Sequence, residues 1–132
     1  MKNFDPQRYK VAAKRKGLDE WVSGFLLVND AGAFILDDIA YTIDPETISR
    51  TVGINDPGGA IIHENDIVVW RDEYDGEILE TSVIIWDEEM ASFLMLNQDG
   101  LKVDVEDSYF YYGNRFDNEN LLSDKQREYF AK

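Results

Sequence analysis

The chain has 132 residues, 13 Lys and Arg against 27 Asp and Glu, a formal charge of −14, 44% hydrophobic residues and no cysteine. That length suits one domain, or one with a small appended lobe, and the hydrophobic content excludes disorder throughout. The absence of cysteine excludes disulfides, thiolate nucleophiles and cysteine-ligated zinc or iron–sulfur sites, and no apolar run approaches the roughly 18 residues that span a bilayer.

At the N-terminus, Asp5-Pro6 resembles a helix cap with Pro at the first helical position, and Gln7 to Lys16 contains good helix formers. From Trp21 onward β-formers are broken every eight to twelve residues by Gly, Asn and Asp clusters, the spacing of an all-β barrel or sandwich. Trp21 to Val28 and Ala33 to Asp37 form a hairpin around Asn29-Asp30-Ala31-Gly32, and after a break at Asp37-Asp38 the segment Ile39 to Ile43 either extends the second strand or begins another. Glu46 to Val52 is predicted as a short strand, reversed by Asn55-Asp56-Pro57-Gly58-Gly59. Ala60 to His63, Ile67 to Arg71, Ile78 to Trp86, Ser92 to Leu96, Leu101 to Val105 and Tyr109 to Asn114 follow as strands. Ser123-Asp124-Lys125-Gln126 then fits a capping box opening a helix from about Asp124 to Phe130. Seven residues are too few for an isolated helix, so Tyr129 and Phe130 must dock.

Charge is distributed unevenly. Residues 1–16 hold six Lys or Arg against the single acid Asp5, a balance of +5 that leaves −19 for the rest. An acidic body repels phosphate, which argues against a duplex DNA partner; the basic segment offsets acids within the same molecule.

Little in the chain points to catalysis. His63 is the only histidine, which excludes two-histidine metal sites, and no serine lies in a nucleophile-elbow context. On a strand, Glu64 and Asp66 would share a face and suit acid–base work or a hard cation. Asp87, Glu88 and Glu89 share a turn, and Asp104, Glu106 and Asp107 form a third acidic group. Solvated turns explain all three, and Asp66 in particular is placed to accept an amide of its own turn. Tyr109, Phe110, Tyr111, Tyr112 and Phe116, with Trp70 and Trp86, suggest core or interface packing, because Lys102 and Arg115 alone do not make the cationic groove of a single-strand binder. Gly113 marks a bulge or bend. No catalytic, cofactor-binding or metal-ligating residue is assigned, and no cofactor is expected.

The stretch Ile43 to Trp70 resembles the signature of the YopX family of phage and prophage proteins. The matching residues are Ile43, Pro45, Glu46, Thr47 and Ile48; then Gly53, Ile54, Asp56 and Gly59; then Ile62, Glu64, Asp66, Ile67 and Val68. Upstream, Asp19-Glu20-Trp21-Val22 with Gly24 fits its opening strand, and the resemblance implies a further strand near Tyr9 to Lys14 ahead of it, the reading adopted over an N-terminal helix. Downstream, Val83 to Glu89 with Phe93, and Tyr112-Gly113-Asn114 through Leu122, fit its later segments. Asn65 stands where the pattern has Gly, Pro57 sits inside the D-x-x-G turn, and Asn120 is followed directly by Leu121.

The family has no assigned activity to carry over. The expectation is a mainly β fold with an N-terminal β-hairpin lobe over residues 1–58. A small SH3-like barrel over residues 59–132 follows, with a short C-terminal helix. Function is expected to be that of a non-enzymatic phage or prophage accessory protein in the host cytoplasm, binding a protein partner, with no membrane and with homo-oligomerisation left open. The alternatives are an acidic nucleic-acid mimic that occupies a host DNA-binding protein, resting on charge, and a metal-dependent hydrolase using Glu64 and Asp66.

Overall fold

A computed structural model describes residues 9–132. The fold is mainly β, with a curled half-barrel sheet and one short C-terminal helix. The chain divides into two compact units, residues 1–53 and 54–132, so the division falls inside a strand rather than in the turn that follows it. Among the described residues no helix is long and apolar enough to cross a membrane.

In the first unit the strands are β1 (Lys10–Lys14), β2 (Trp21–Asn29), β3 (Gly32–Leu36), β4 (Ala40–Thr42) and β5 (Ser49–Asn55), which runs on into the second unit. The strand expected near Tyr9 to Lys14 is β1; the Asp5-Pro6 cap lies outside the described residues. β1 pairs antiparallel with both β2 and β5, giving the order β4-β3-β2-β1-β5. Val11, Ala13, Ala33, Ile35 and Ile43 form the core, with Val22 and Ile48 against it.

Pro45–Thr47 forms a 3-10 turn, so the strand expected from Glu46 starts only at Ser49. Asp44 Oδ1 accepts from the Glu46 amide at 3.1 Å, and Pro45 lacks the N–H that a ladder requires. Thr47 is buried: its hydroxyl donates to Asp44 O at 2.7 Å and accepts from the Lys14 amide at 2.8 Å.

The second unit holds β6 (Ile61–His63), β7 (Asp66–Arg71), β8 (Ile78–Asp87), β9 (Ser92–Leu96), β10 (Lys102–Asp104), β11 (Phe110–Asn114) and helix α1 (Asp124–Phe130). Its five-stranded antiparallel sheet has the order β10-β9-β8-β7-β11. Ile67, Val83 and Leu96 are cross-strand neighbours and form one core face with Ile85 and Leu122, over which Tyr129 and Phe130 pack. Val68 and Ser82 pair on the opposite face, as do Ile84 and Met95, and all four are buried. Burial on both faces explains why these strands read as continuous apolar runs rather than alternating ones.

The register between β11 and β7 shifts between Tyr111 and Gly113, the bulge expected there. A Cβ on Gly113 would collide with the Asn118 side chain, so the close approach requires glycine.

The reversal at Asp56-Pro57-Gly58-Gly59 is closed by Gly59 N donating to Asp56 O at 3.0 Å. Asp first, Pro second and Gly fourth is the favoured order of a tight turn, which accounts for Pro57 within the pattern. Gly59 takes a φ of +90°, whereas Gly58 does not enter the left-handed region. A side chain is therefore strained at Gly59 and tolerated at Gly58.

The capping box is present at α1: Ser123 Oγ accepts from the Gln126 amide at 3.3 Å, and Gln126 Oε1 accepts from the Ser123 amide at 2.9 Å.

Candidate functional site

The turn between β6 and β7 brings His63, Glu64 and Asp66 together, but not on one face of a strand. Asn65 takes a φ of +73° between the two acids, which Asn tolerates as Gly does, and this turns Glu64 away from the ladder. Asp66 is buried, and its Oδ2 accepts from the His63 amide at 2.7 Å, the role its position in sequence suggests. His63 Nδ1 lies 3.8 Å from the same oxygen, too far for a hydrogen bond. Burial raises the Asp66 pKa above its ordinary 3.8, partly opposed by His63.

The sign has a measurable consequence. Because the folded value is raised, the contribution of Asp66 to stability is full below pH 3.8 and is lost as pH rises through that raised value. Asp66→Asn keeps an acceptor without the charge, so it is at least as stable as the parent at neutral pH and loses that advantage in acid. Asp66→Ala loses the acceptor and is less stable by about 1 kcal/mol. Urea denaturation at neutral and acid pH measures both; a neutral-pH loss for Asp66→Asn equal to that of Ala would show that the charge itself is needed.

The other acidic groups are also engaged locally or lie in solvent. Asp87 Oδ1 accepts from Lys102 Nζ at 2.7 Å and Oδ2 from the Met90 amide at 2.9 Å, and these bonds lower its pKa. Glu88, Glu89, Asp104, Glu106 and Asp107 are exposed. Among the described residues no three His, Asp or Glu side chains converge as a metal site would require.

The aromatic run divides at the start of β11. Tyr109 is buried and its hydroxyl donates to Glu80 Oε2 at 2.6 Å; burial, reinforced by that carboxylate, raises its pKa. Phe110, Tyr111 and Tyr112 remain exposed, and Arg71 stands over the Tyr112 ring at 5.6 Å. Trp86 meets Phe93 edge-on at 5.0 Å, while Trp70 is exposed. Phe116 instead covers one side of the Arg115 guanidinium, 4.2 Å away.

An apolar face in the first unit escaped the sequence reading. Phe25 pairs with Leu36 and Leu27 with Phe34 across the β2–β3 hairpin, so these four side chains share one face. Phe25 (43%), Leu27 (42%) and Leu36 (39%) are exposed. The opposite face carries Ile35 and Ala33, which are buried in the core. Four consecutive apolar residues, Phe25 to Val28, were the available signal: a strand apolar on both faces is normally covered on both. Nearby cations are engaged. Lys14 and Arg15 pair with Asp19 and Glu20 at 2.6 and 3.0 Å, and Lys10 lies over the Phe25 ring at 5.8 Å.

Comparison of the chain with models of known families and with curated proteins finds no match.

Proposed function

We propose that the chain is a non-enzymatic accessory protein of YopX kind, of phage or prophage origin, that acts in the host cytoplasm by binding another protein. In this reading the second unit is a small SH3-like barrel. The observation that carries the binding role is the exposed outer face of the β2–β3 hairpin, where Phe25, Leu27 and Leu36 stand together on a regular, paired strand ladder. A contiguous apolar face on a rigid hairpin suits association, since covering it removes apolar surface from water without ordering a loop. Support for the family comes from the signature residues, which have specific backbone tasks. Gly59 occupies a left-handed position, as does Asn65 where the pattern has Gly, and Asp56 binds the Ala60 amide at its turn.

The test uses Leu27→Lys combined with Leu36→Lys, both at exposed positions, with the circular dichroism spectrum unchanged. The immobilised parent chain retains a protein from host lysate that the double variant does not retain. Equal retention by both sinks the hairpin reading, and if that retention disappears at raised salt it favours the acidic mimic instead.

A further inference from the structure

A cavity of about 350 Å³ in the second unit is lined by Arg115, Phe116, Glu119, Leu122, Arg127 and Phe130. The Arg115 guanidinium packs against the Phe116 and Phe130 rings, with centroids 4.2 and 4.3 Å from its central carbon. Its Nε donates to Asn65 Oδ1 at 2.8 Å, and its backbone amide donates to Asn65 O at 2.9 Å. The two rings pack against the guanidinium and Asn65 holds one edge, which restrains the orientation of the group. Among the described residues no carboxylate forms an ion pair with Arg115, and its two amino nitrogens carry no hydrogen bond. Arg127 donates to Asp124 Oδ1 at 3.3 Å and to Glu119 O at 3.2 Å, both long contacts from an exposed side chain.

We propose that this cavity binds a carboxylate carried on an apolar group, such as the terminal residue of a peptide, with the free edge of Arg115 as the fork and Arg127 as the second cation. The guanidinium is half-buried, and burial lowers its pKa against the opposing field of Glu64. A desolvated cation without a paired anion is costly, and stacking on two rings offsets only part of that cost. A carboxylate completes the pair through two parallel N–H···O bonds, the arrangement for which the fork is shaped.

Two features favour a carboxylate over phosphate. Residues 54–132 hold six Lys or Arg against nineteen Asp or Glu, a field that opposes a dianion more than a monoanion. The walls are apolar at Phe116, Leu122 and Phe130, and the charge of Glu119 opposes a dianion more than a monoanion. The volume lies at the small end of ligand sites. Asn65 is the positioning residue: the glycine of the family pattern would satisfy the same backbone angle but could not hold Nε. This site is independent of the hairpin face and of the reading built on it.

The experiment titrates the full chain with N-acetyl-leucine, with its uncharged amide, and with inorganic phosphate, following the Arg115 Nε–H resonance. A saturable shift with N-acetyl-leucine alone is expected. Arg127→Gln, at an exposed position, and Asn65→Gly, which keeps the turn, each weaken it about tenfold or more while the backbone spectrum outside the site is preserved. No saturation, an equal response to the amide, a response to phosphate in place of N-acetyl-leucine, or unchanged binding in both variants overturns the proposal.

Discussion

Asp56→Ala lowers the stability of the second unit by about 2 kcal/mol, the low end for losing two hydrogen bonds to a charged acceptor at a partly solvated turn. Oδ1 of Asp56 accepts from the Ala60 amide at 2.8 Å, and Oδ2 accepts from the Tyr111 amide at 2.9 Å, tying the Asp56–Gly59 turn to the bulged strand β11. Burial raises the pKa of this carboxylate, but the amides of Tyr111, Ala60, Gly58 and Gly59 outweigh it and leave it below 3.8. For a depressed pKa the contribution is present above the ordinary value and is lost as pH falls through the folded one. The gap between parent and Asp56→Ala is therefore full at neutral pH and narrows only in strong acid. Hydrogen exchange at the Tyr111 and Ala60 amides, with urea denaturation, measures it. Unchanged midpoints with protected amides would show that the turn stands without its carboxylate.

Gln126→Leu costs about 3 kcal/mol, since it leaves up to three backbone groups without their partner, one buried and two partly buried. Gln126 is fully buried. Its Nε2 donates to Leu96 O at 3.0 Å and to Thr81 O at 3.2 Å, bridging carbonyls of β9 and β8, while Oε1 holds the Ser123 amide. Helix α1 has seven residues and depends on this anchor, so its loss also loosens Leu122, Tyr129 and Phe130 from the core. Gln126→Glu is the shape-matched control. It puts a carboxylate against two carbonyls and destabilises at least as much, a result that thermal melts separate from a simple packing effect. If Leu at this position melts with the parent, the amide bridge contributes nothing and apolar burial alone seats the helix.

The elements written in neighbouring residues were legible. The strand in Ser92 to Leu96, the hairpin around Asp30-Ala31, the Asp56 turn and the Ser123 capping box all depend on groups within a few positions of each other, and they stand where the residues place them. So does the inward use of Asp66, whose amide partner is three residues away. The turn at Pro45–Thr47 is local too: Asp44 caps it and Pro45 opens it, signals that the strand expected over Glu46 to Val52 left unused.

Other features required the folded chain. Asn65 and Arg115 are fifty residues apart, and nothing in either segment specifies that one will clamp the other. Phe130 reaches Arg115 only because Gln126 docks α1 across β8 and β9. The exposure of Phe25, Leu27 and Leu36 is likewise tertiary, because composition records that a strand is apolar on both faces but not whether a neighbour covers each one. Backbone preferences and turn chemistry act over a few residues and are carried by the sequence itself. Burial, ion pairing and the meeting of distant side chains depend on which surfaces remain after packing, and the tertiary structure alone decided those.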